Sequence, residues 1–247
     1  MKIAGIIPAR YASTRFPGKP LADIKGKSMI MRVYEQAAKV QKLDEVVVAT
    51  DDQRIFKHVI ENGGKAVMTS PDHPSGTSRC AEAIKLISRN DHFDSVINIQ
   101  GDEPFIRPEQ IGRVAQLLCR NEVQIASLYK KITTATDLFD PNIVKAIVSN
   151  QGKALYFSRQ AVPFVRNVSM EKWLELTVFY KHIGIYGYRV DTLFQIIQLP
   201  ESPLEKAELL EQLRWLYHGF DIYMEETHFE SFSIDTPEDL SKFMNNL

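Results

Sequence analysis

The sequence predicts an α/β fold: a three-layer, doubly wound, mostly parallel mixed sheet. Three observations point there. Short apolar runs at Ile3–Ile7, Glu45–Thr50 and Ser95–Ile99 alternate with stretches of helical period. Continuous runs of this length suit strands buried on both faces. A β-loop-α rhythm repeated three or four times implies parallel strands joined by right-handed crossovers. Polar loops follow the runs, at the carboxyl edge where such sheets bind ligands.

The elements follow in order. Ile3–Ile7 is a strand ending at Pro8, and a loop rich in basic residues, Gly and Pro runs from Ala9 to about Lys27. Ser28 caps a helix through about Val40, with Ile30, Val33, Ala37 and Val40 on one face. Glu45–Thr50 is the second strand; Asp51 or Asp52 caps the next helix, which Gly63-Gly64 ends. Lys65–Met68 is a short strand, Thr77–Arg89 a helix, Ser95–Ile99 a strand, and Pro108 opens another helix. The second half is less regular. Gln124–Ile132, Ile143–Ser149 and Lys181–Arg189 read as strands, and Ala154–Val165 is apolar with a proline. Glu205–Tyr217 reads as one helix with Leu209, Leu210, Leu213 and Leu216 inward; Ile222–Glu226 and a helix from Pro237 close the chain. The polar stretch Arg166–Tyr180 is expected to form a flap or part of an interface.

Composition excludes several classes. With 247 residues the chain can bury one sizeable core, and residues 1–247 are expected to form a single domain. A net charge of −1 gives no global attraction to nucleic acid or to an anionic membrane, so neither is an expected partner. Any anion site must come from local charge. Cys80 and Cys119 are far apart, form no CxxC pair and read as buried or half-buried free thiols. The apolar run after Lys2 is too short for a signal-peptide core, and no run approaches the roughly 18–20 residues that cross a bilayer. A cytoplasmic protein is expected.

Four segments carry candidate chemistry. The loop from Pro8 to Leu21 follows the first strand and holds Arg10, Arg15 and Lys19 with no acid among them. Its Gly18, Ala12 and Ser13 let backbone N–H groups approach a ligand. Such a loop suits a triphosphate, whose charge builds on the leaving pyrophosphate. It is not a Walker loop, because Pro20 follows Gly18-Lys19. A solvated basic loop would look the same in isolation. Asn98–Pro104 sets Asp102 in a glycine turn after a strand, where a carboxylate can hold Mg²⁺. Asp235 follows a short strand-like run and precedes the last helix; it is a second metal ligand or, with Thr236, a helix cap. His73–Arg79 is a polar turn entering a helix, able to present donors or simply to be capped by Ser75 or Thr77.

Taken together, the runs IIPARYASTRFPGKPL, VVATDD, SGTSR, NIQGDEP, ALYFSR, HIGIYGYR, SPLEKAELLEQLR and DTPEDL resemble, in content and order, the 3-deoxy-manno-octulosonate cytidylyltransferase (CMP-Kdo synthetase) family. The resemblance implies the nucleotide-diphospho-sugar transferase fold and a homodimer, with residues 150–190 as a dimer-forming or flap region. It implies that Arg10, Arg15 and Lys19 hold the CTP phosphates and that Ser75, Gly76 and Gln100 contact the nucleotide. It implies Mg²⁺ at Asp102 and Asp235. It implies a sugar acid against Gln100, Arg159, His182, Tyr186, Glu211 and Gln212. Ser70, Pro74 and Ser78 depart from the family's usual residues, which touches the base contacts.

The expected reaction transfers CMP from CTP to the anomeric hydroxyl of 3-deoxy-D-manno-octulosonate, giving CMP-Kdo and pyrophosphate for lipopolysaccharide biosynthesis. Rival readings are a cytidylyltransferase for a sialic acid or amino-substituted octulosonate, a sugar-1-phosphate nucleotidyltransferase, and a non-catalytic nucleotide-binding module. Residue by residue, Arg159 carries most weight. An arginine in the apolar stretch ALYFSRQAVPFV needs an anionic partner, and a sugar carboxylate or a protein carboxylate would serve.

Overall fold

The computed structural model describes residues 1–12, 15–89, 91–230 and 232–245, without the side chains of Phe243 and Asn245. In chain order the elements are β1 (Ile3–Ala9), a short hairpin of β2 (Asp23–Ile24) and β3 (Lys27–Ser28), α1 (Met29–Ala38), β4 (Glu45–Thr50), α2 (Gln53–Glu61) and β5 (Ala66–Met68). They continue with α3 (Gly76–Ile87), β6 (Ser95–Asn98), α4 (Pro108–Leu118), β7 (Ile125–Lys131), α5 (Ala135–Phe139), β8 (Lys145–Val148) and β9 (Ala154–Ser158). Then come α6 (Trp173–Leu176), β10 (Tyr180–Arg189), α7 (Val190–Ile196), α8 (Pro203–Glu208), α9 (Gln212–Tyr217), β11 (Ile222–Glu226) and α10 (Pro237–Asn245).

The main sheet runs β11-β7-β10-β6-β1-β4-β5, with β8 and β9 attached beside β10. β1 is parallel to both β4 and β6, and β4 to β5. β10 is antiparallel to β6 and to β7. The carboxyl ends of β1, β4, β5 and β6 therefore share one edge. Alternation along β1 explains the layers. Ile3, Ile7 and Ala9 face a core with α1, α2 and α4, while Ala4 and Ile6 face a second core with α3, α7 and α9. This is the doubly wound, three-layer architecture expected. No helix among the described residues is long and apolar enough to cross a membrane.

Several expectations need correction. The stretch Glu205–Tyr217 is two helices, not one. Leu209 sits at φ 53°, ending α8, and is 78 % exposed, whereas Leu210 and Leu213 are buried. The helical period of the leucines is real, but the side chains and carbonyls around the break are captured by other segments, as described below. Ser28 stands at the cap of α1 without capping it, because its hydroxyl meets Nε2 of His58 at 2.7 Å. Cys80 is buried as expected, but Cys119 is exposed, one position beyond the buried Leu117 and Leu118 at the end of α4. No correction falls on the polar stretch Arg166–Tyr180, which holds α6 and packs Trp173 into a small separate core with Ile132, Leu138 and Phe179.

Candidate active site

A cleft of about 250 Å³ opens at the carboxyl edge of β1, β5 and β6. Arg10, Arg15, Lys19, Ser75, Gly76, Gln100, Asp102 and Asp235 all line it. Eight residues from four separate segments of the sequence thus meet in one place.

The basic loop is shaped by its own backbone. Gly18 N–H donates to the carbonyl of Tyr11 at 2.9 Å and folds the loop back on itself. Gly18 adopts φ 73°, and a Cβ there would lie 3.0 Å from the Tyr11 ring, so glycine is required twice over. Ser13, one of the small residues expected to approach a ligand, lies outside the described residues. Lys19 opens a one-turn helix, and its ammonium is 2.8 Å from Asp102 Oδ2 and 3.2 Å from Asp235 Oδ1. Arg15 reaches the same Asp235 oxygen at 3.1 Å.

The two acids arrive by different routes. Asp102 sits in the turn after β6. Gly101 permits that turn, because a Cβ there would lie 2.8 Å from the carbonyl of Pro8. Asp235 comes from the far edge of the sheet, beyond β11. The N–H of Ile234 donates to the Asp102 carbonyl at 2.9 Å and ties the two segments together. The cap of α10 is Thr236, whose hydroxyl accepts from Asp239 N–H at 3.2 Å, while the Asp239 carboxylate accepts from Thr236 and Asp235. The Asp235 carboxylate is therefore free of capping duty and faces the cations.

These two carboxylates could hold a metal. Among the described residues no cluster of three or more His, Cys, Asp or Glu suits a metal ion. A full protein cage is thus not what this cleft offers. Two carboxylates, with the remaining positions left to water and phosphate, is the donor set that suits Mg²⁺.

At the entrance to α3, Ser75 is the cap. Its Oγ accepts from Ser78 N–H at 3.3 Å and donates to Glu211 at 3.0 Å. Thr77 Oγ1 donates to the other Glu211 oxygen at 2.7 Å. The break between α8 and α9 is what lets Glu211 reach this turn. A second cavity, of about 450 Å³, adjoins the first across Pro74 and Ser75 and is lined by Glu211, Glu205 and Arg214.

Two cleft residues were not singled out from the sequence. Arg79 lines the cleft although its side chain is buried. Its guanidinium donates to Thr69 Oγ1 at 2.6 Å, Ser70 O at 3.2 Å and Asp51 at 3.1 Å. His73 pairs with Glu82, whose carboxylate also accepts from Ser70 N–H at 2.8 Å. Burial opposes the Glu82 charge, but His73 and the Ser70 N–H outweigh it and hold the carboxyl below its usual range. The signal for Arg79 was an arginine on the apolar side of a helix, with Asp51 just after β4.

Of the expected sugar site, Arg159, His182, Tyr186 and Gln212 do not line the cleft. Among the described residues the Arg159 guanidinium pairs with no protein carboxylate and meets backbone carbonyls instead. Its Nε donates to the Glu208 carbonyl at 2.7 Å and its Nη1 to the Pro141 carbonyl at 3.0 Å, while its own N–H donates to the Glu208 carboxylate at 2.9 Å. His182 contacts Ser127 Oγ at 2.9 Å, and burial pushes its pKa down to about 3. Tyr186 is buried against Trp215 and His182, and its hydroxyl has no partner among the described residues. Burial, then the charge of Glu211, raises its pKa well above the ordinary value. Gln212 is buried at the start of α9. Gln100 lines the cleft and donates to the Gly184 carbonyl at 3.1 Å, so it joins β6 to β10.

A family profile described as cytidylyltransferase matches residues 4–232. The chain belongs to the cytidylyltransferase family. The 3-deoxy-manno-octulosonate cytidylyltransferase of Cytophaga hutchinsonii is 54 % identical over 241 residues, covering 97 % of this chain and 95 % of the relative. That of Parabacteroides distasonis is 52 % identical over 246 residues, covering 98 % and 96 %. The solved structure of CMP:2-keto-3-deoxy-manno-octonic acid synthetase complexed with CTP superposes with TM-score 0.91 at 43 % identity, covering 100 % of this chain and 98 % of that one. A 4-diphosphocytidyl-2C-methyl-D-erythritol synthase from Anaerococcus prevotii, 14 % identical with TM-score 0.64 over 99 % of this chain and 95 % of its own, shares the fold.

Proposed function

We propose that this protein transfers CMP from CTP to the anomeric hydroxyl of 3-deoxy-D-manno-octulosonate, a step toward lipopolysaccharide, as a cytoplasmic, Mg²⁺-dependent homodimer. One observation carries the reading: cations and a carboxylate pair share a single cleft at the carboxyl edge of the sheet, in a chain 43 % identical to a synthetase solved with CTP.

The chemistry follows from charge. The sugar oxygen forms a bond to the α-phosphorus, the bond to the β-phosphate oxygen breaks, and the hydroxyl proton leaves to solvent. Arg10, Arg15 and Lys19 face the phosphates and offset the charge that grows on pyrophosphate. Arginine does so with a fork of donors and lysine with a compact charge. Mg²⁺ held by Asp102 and Asp235 would supply charge neutralisation and a lowered hydroxyl pKa. No side chain in the cleft is assigned as a general base. Ser75 and Gly76, at the entrance to α3, offer the turn that takes the cytosine. Gln100 faces both substrates, and Glu211, fixed by Ser75 and Thr77, borders the adjoining cavity proposed for the sugar acid. The dimer reading is supported by Leu155, Phe164, Met170 and Leu176, which expose large apolar surfaces within residues 150–190.

The test is pyrophosphate release with each nucleoside triphosphate against a panel of acid sugars. CTP with 3-deoxy-D-manno-octulosonate should give the highest kcat/KM. UTP should fall about 10- to 100-fold below CTP, the effect of one unpaired polar contact at the ring edge. Equal efficiency with ATP, or higher efficiency with a sialic acid or amino-substituted octulosonate, would overturn the assignment. CTP binding without release for any sugar would leave a binding module.

A further inference from the structure

Asp235 reaches the cleft from the opposite side of the sheet. Strand β11, which precedes it, is the edge strand, and β7, β10 and β6 lie between it and β1. Between Thr227 and Ile234 the chain therefore passes β7 and β10 to reach the turn after β6. The crossing segment is tied down at its start, where buried Thr227 donates to the Tyr129 carbonyl at 2.8 Å, and at its end, where Ile234 donates to Asp102.

Between these ties lies an unusual seat. Lys130 of β7 and Lys181 of β10 stand directly opposite each other in the antiparallel pair. Like charges in that position destabilise a sheet. Both ammonium groups converge on the carboxylate of Glu230. Lys181 is 2.9 Å from Glu230 Oε2 and Lys130 pairs with Oε1. Asp137 takes the other side of Lys181 at 3.0 Å. Burial opposes the Glu230 charge, yet the two lysines outweigh it and keep the carboxyl below its usual range. The paired lysines and the single acid thus answer each other across two strands and the crossing segment.

We infer that Glu230 is a positioning residue: seated on Lys130 and Lys181, it fixes the segment that carries Asp235 and so sets the metal affinity of the cleft. This rests on the metal reading above. One tie at Ile234 holds a point, whereas a second, five residues before Asp235, fixes the direction in which the segment arrives. Partners that orient ligands from behind contribute to metal affinity without touching the ion.

The experiment is a double-mutant cycle on Mn²⁺ affinity, measured by water-proton relaxation in the presence of CTP and without sugar. The proteins are the parent chain, Glu230→Gln, Asp235→Asn and the double variant, each checked for its thermal midpoint. Glu230→Gln should weaken Mn²⁺ binding about tenfold, as loss of an orienting partner does. It should add nothing in the Asp235→Asn background, because its only route to the metal is through Asp235. If Glu230→Gln fails to fold, Lys130→Met replaces it, with a smaller loss expected because Lys181 still holds Glu230, and again no added loss in the Asp235→Asn background. If Asp235→Asn weakens Mn²⁺ but Glu230→Gln does not, the inference falls and the metal reading stands. If the two losses multiply, Glu230 is structural and the inference falls. If Asp235→Asn leaves Mn²⁺ binding unchanged, the metal reading fails and takes the inference with it.

Discussion

Replacing Lys19 by methionine should strengthen metal binding while disabling catalysis. The ammonium stands within 3.2 Å of both Asp102 and Asp235, so it occupies the seat that a divalent ion would need. An incoming cation must first displace it. Lys19 is largely buried, but the two acids are about a third exposed, so water screens part of the attraction. A charge-assisted hydrogen bond is worth about 1.5–3 kcal/mol. Taking the lower end for the pair together, removal of the competitor should tighten Mn²⁺ about tenfold, since about 1.4 kcal/mol is one decade. A second effect has the same sign. Without the ammonium the two carboxylates, whose oxygens at 2.8 and 3.2 Å from that nitrogen can be no more than about 6 Å apart, repel each other by about 3 kcal/mol at an effective dielectric near 20, and a dication would relieve that repulsion. The assay is water-proton relaxation with Mn²⁺ and no nucleotide, where Lys19 has no phosphate to turn to. Turnover should fall about 100-fold or more, as when a group that stabilises transition-state charge is lost. Weaker or unchanged Mn²⁺ binding in Lys19→Met would refute the idea that lysine and metal compete for one seat.

Asp102→Asn and Asp235→Asn should each lower turnover by about 100-fold or more with an unchanged thermal midpoint; near-parental turnover at saturating Mg²⁺ would remove that residue from the metal site. Arg159→Lys should lower the thermal midpoint by a few degrees, at about 2–4 °C per kcal/mol for a chain of this size, because a lysine cannot reach the Glu208 and Pro141 carbonyls together. Its Michaelis constant for the sugar acid should stay within about twofold, and a selective rise of ~10-fold or more would assign Arg159 the contact with the sugar carboxylate. His182, held neutral by burial with a pKa of about 3, should make stability fall as pH drops. The unfolded chain takes up its proton near pH 6.5 and the folded one does not, so between about 6.5 and 3 stability is lost at about 1.4 kcal/mol per pH unit. Urea titrations at pH 7 and 5 should show that slope for the parent and a shallower one for His182→Asn.

The first half of the fold was legible because strands buried on both faces leave continuous apolar runs, and the helices between them keep a 3.6 period. The second half was not, for reasons that lie in tertiary contacts. Glu205–Tyr217 has the period of one helix, yet Glu208 bonds Ser158 and the Arg159 N–H, and Glu211 bonds Ser75 and Thr77. Those captures force a turn at Leu209 that no local pattern announces. The site divides in the same way. Arg10, Lys19, Gln100 and Asp102 follow strands of a parallel sheet, so the rule that ligands bind beyond carboxyl ends places them. Asp235 follows an edge strand and reaches the cleft only through a crossing segment. In the sugar-site set, the sequence did not announce the protein contacts of Arg159 and His182, because an arginine in an apolar stretch can be held by backbone carbonyls as well as by an anion. A histidine in a strand can likewise be held by one serine.

The arrangement of charge in the cleft constrains what it can be for. Three cations alone would suit a triphosphate, and the two carboxylates would then only repel it. Two carboxylates alone would suit a cation, and the lysine between them would only compete. Their meeting makes chemical sense when charge is exchanged on binding. On the metal reading proposed above, the acids would give up Lys19 and Arg15 to a dication, and the released cations would turn to the phosphates that come with it. Metal and nucleotide should therefore bind with positive coupling: each frees the groups the other needs. Because coupling is reciprocal, CTP should raise Mn²⁺ affinity by the same factor by which Mn²⁺ raises CTP affinity. Coupling free energies of this kind run about 1–3 kcal/mol, or roughly 5- to 150-fold. In Lys19→Met the lysine has nothing to give up, so the coupling should shrink toward unity. A variant that kept the full coupling would show that the exchange does not pass through Lys19.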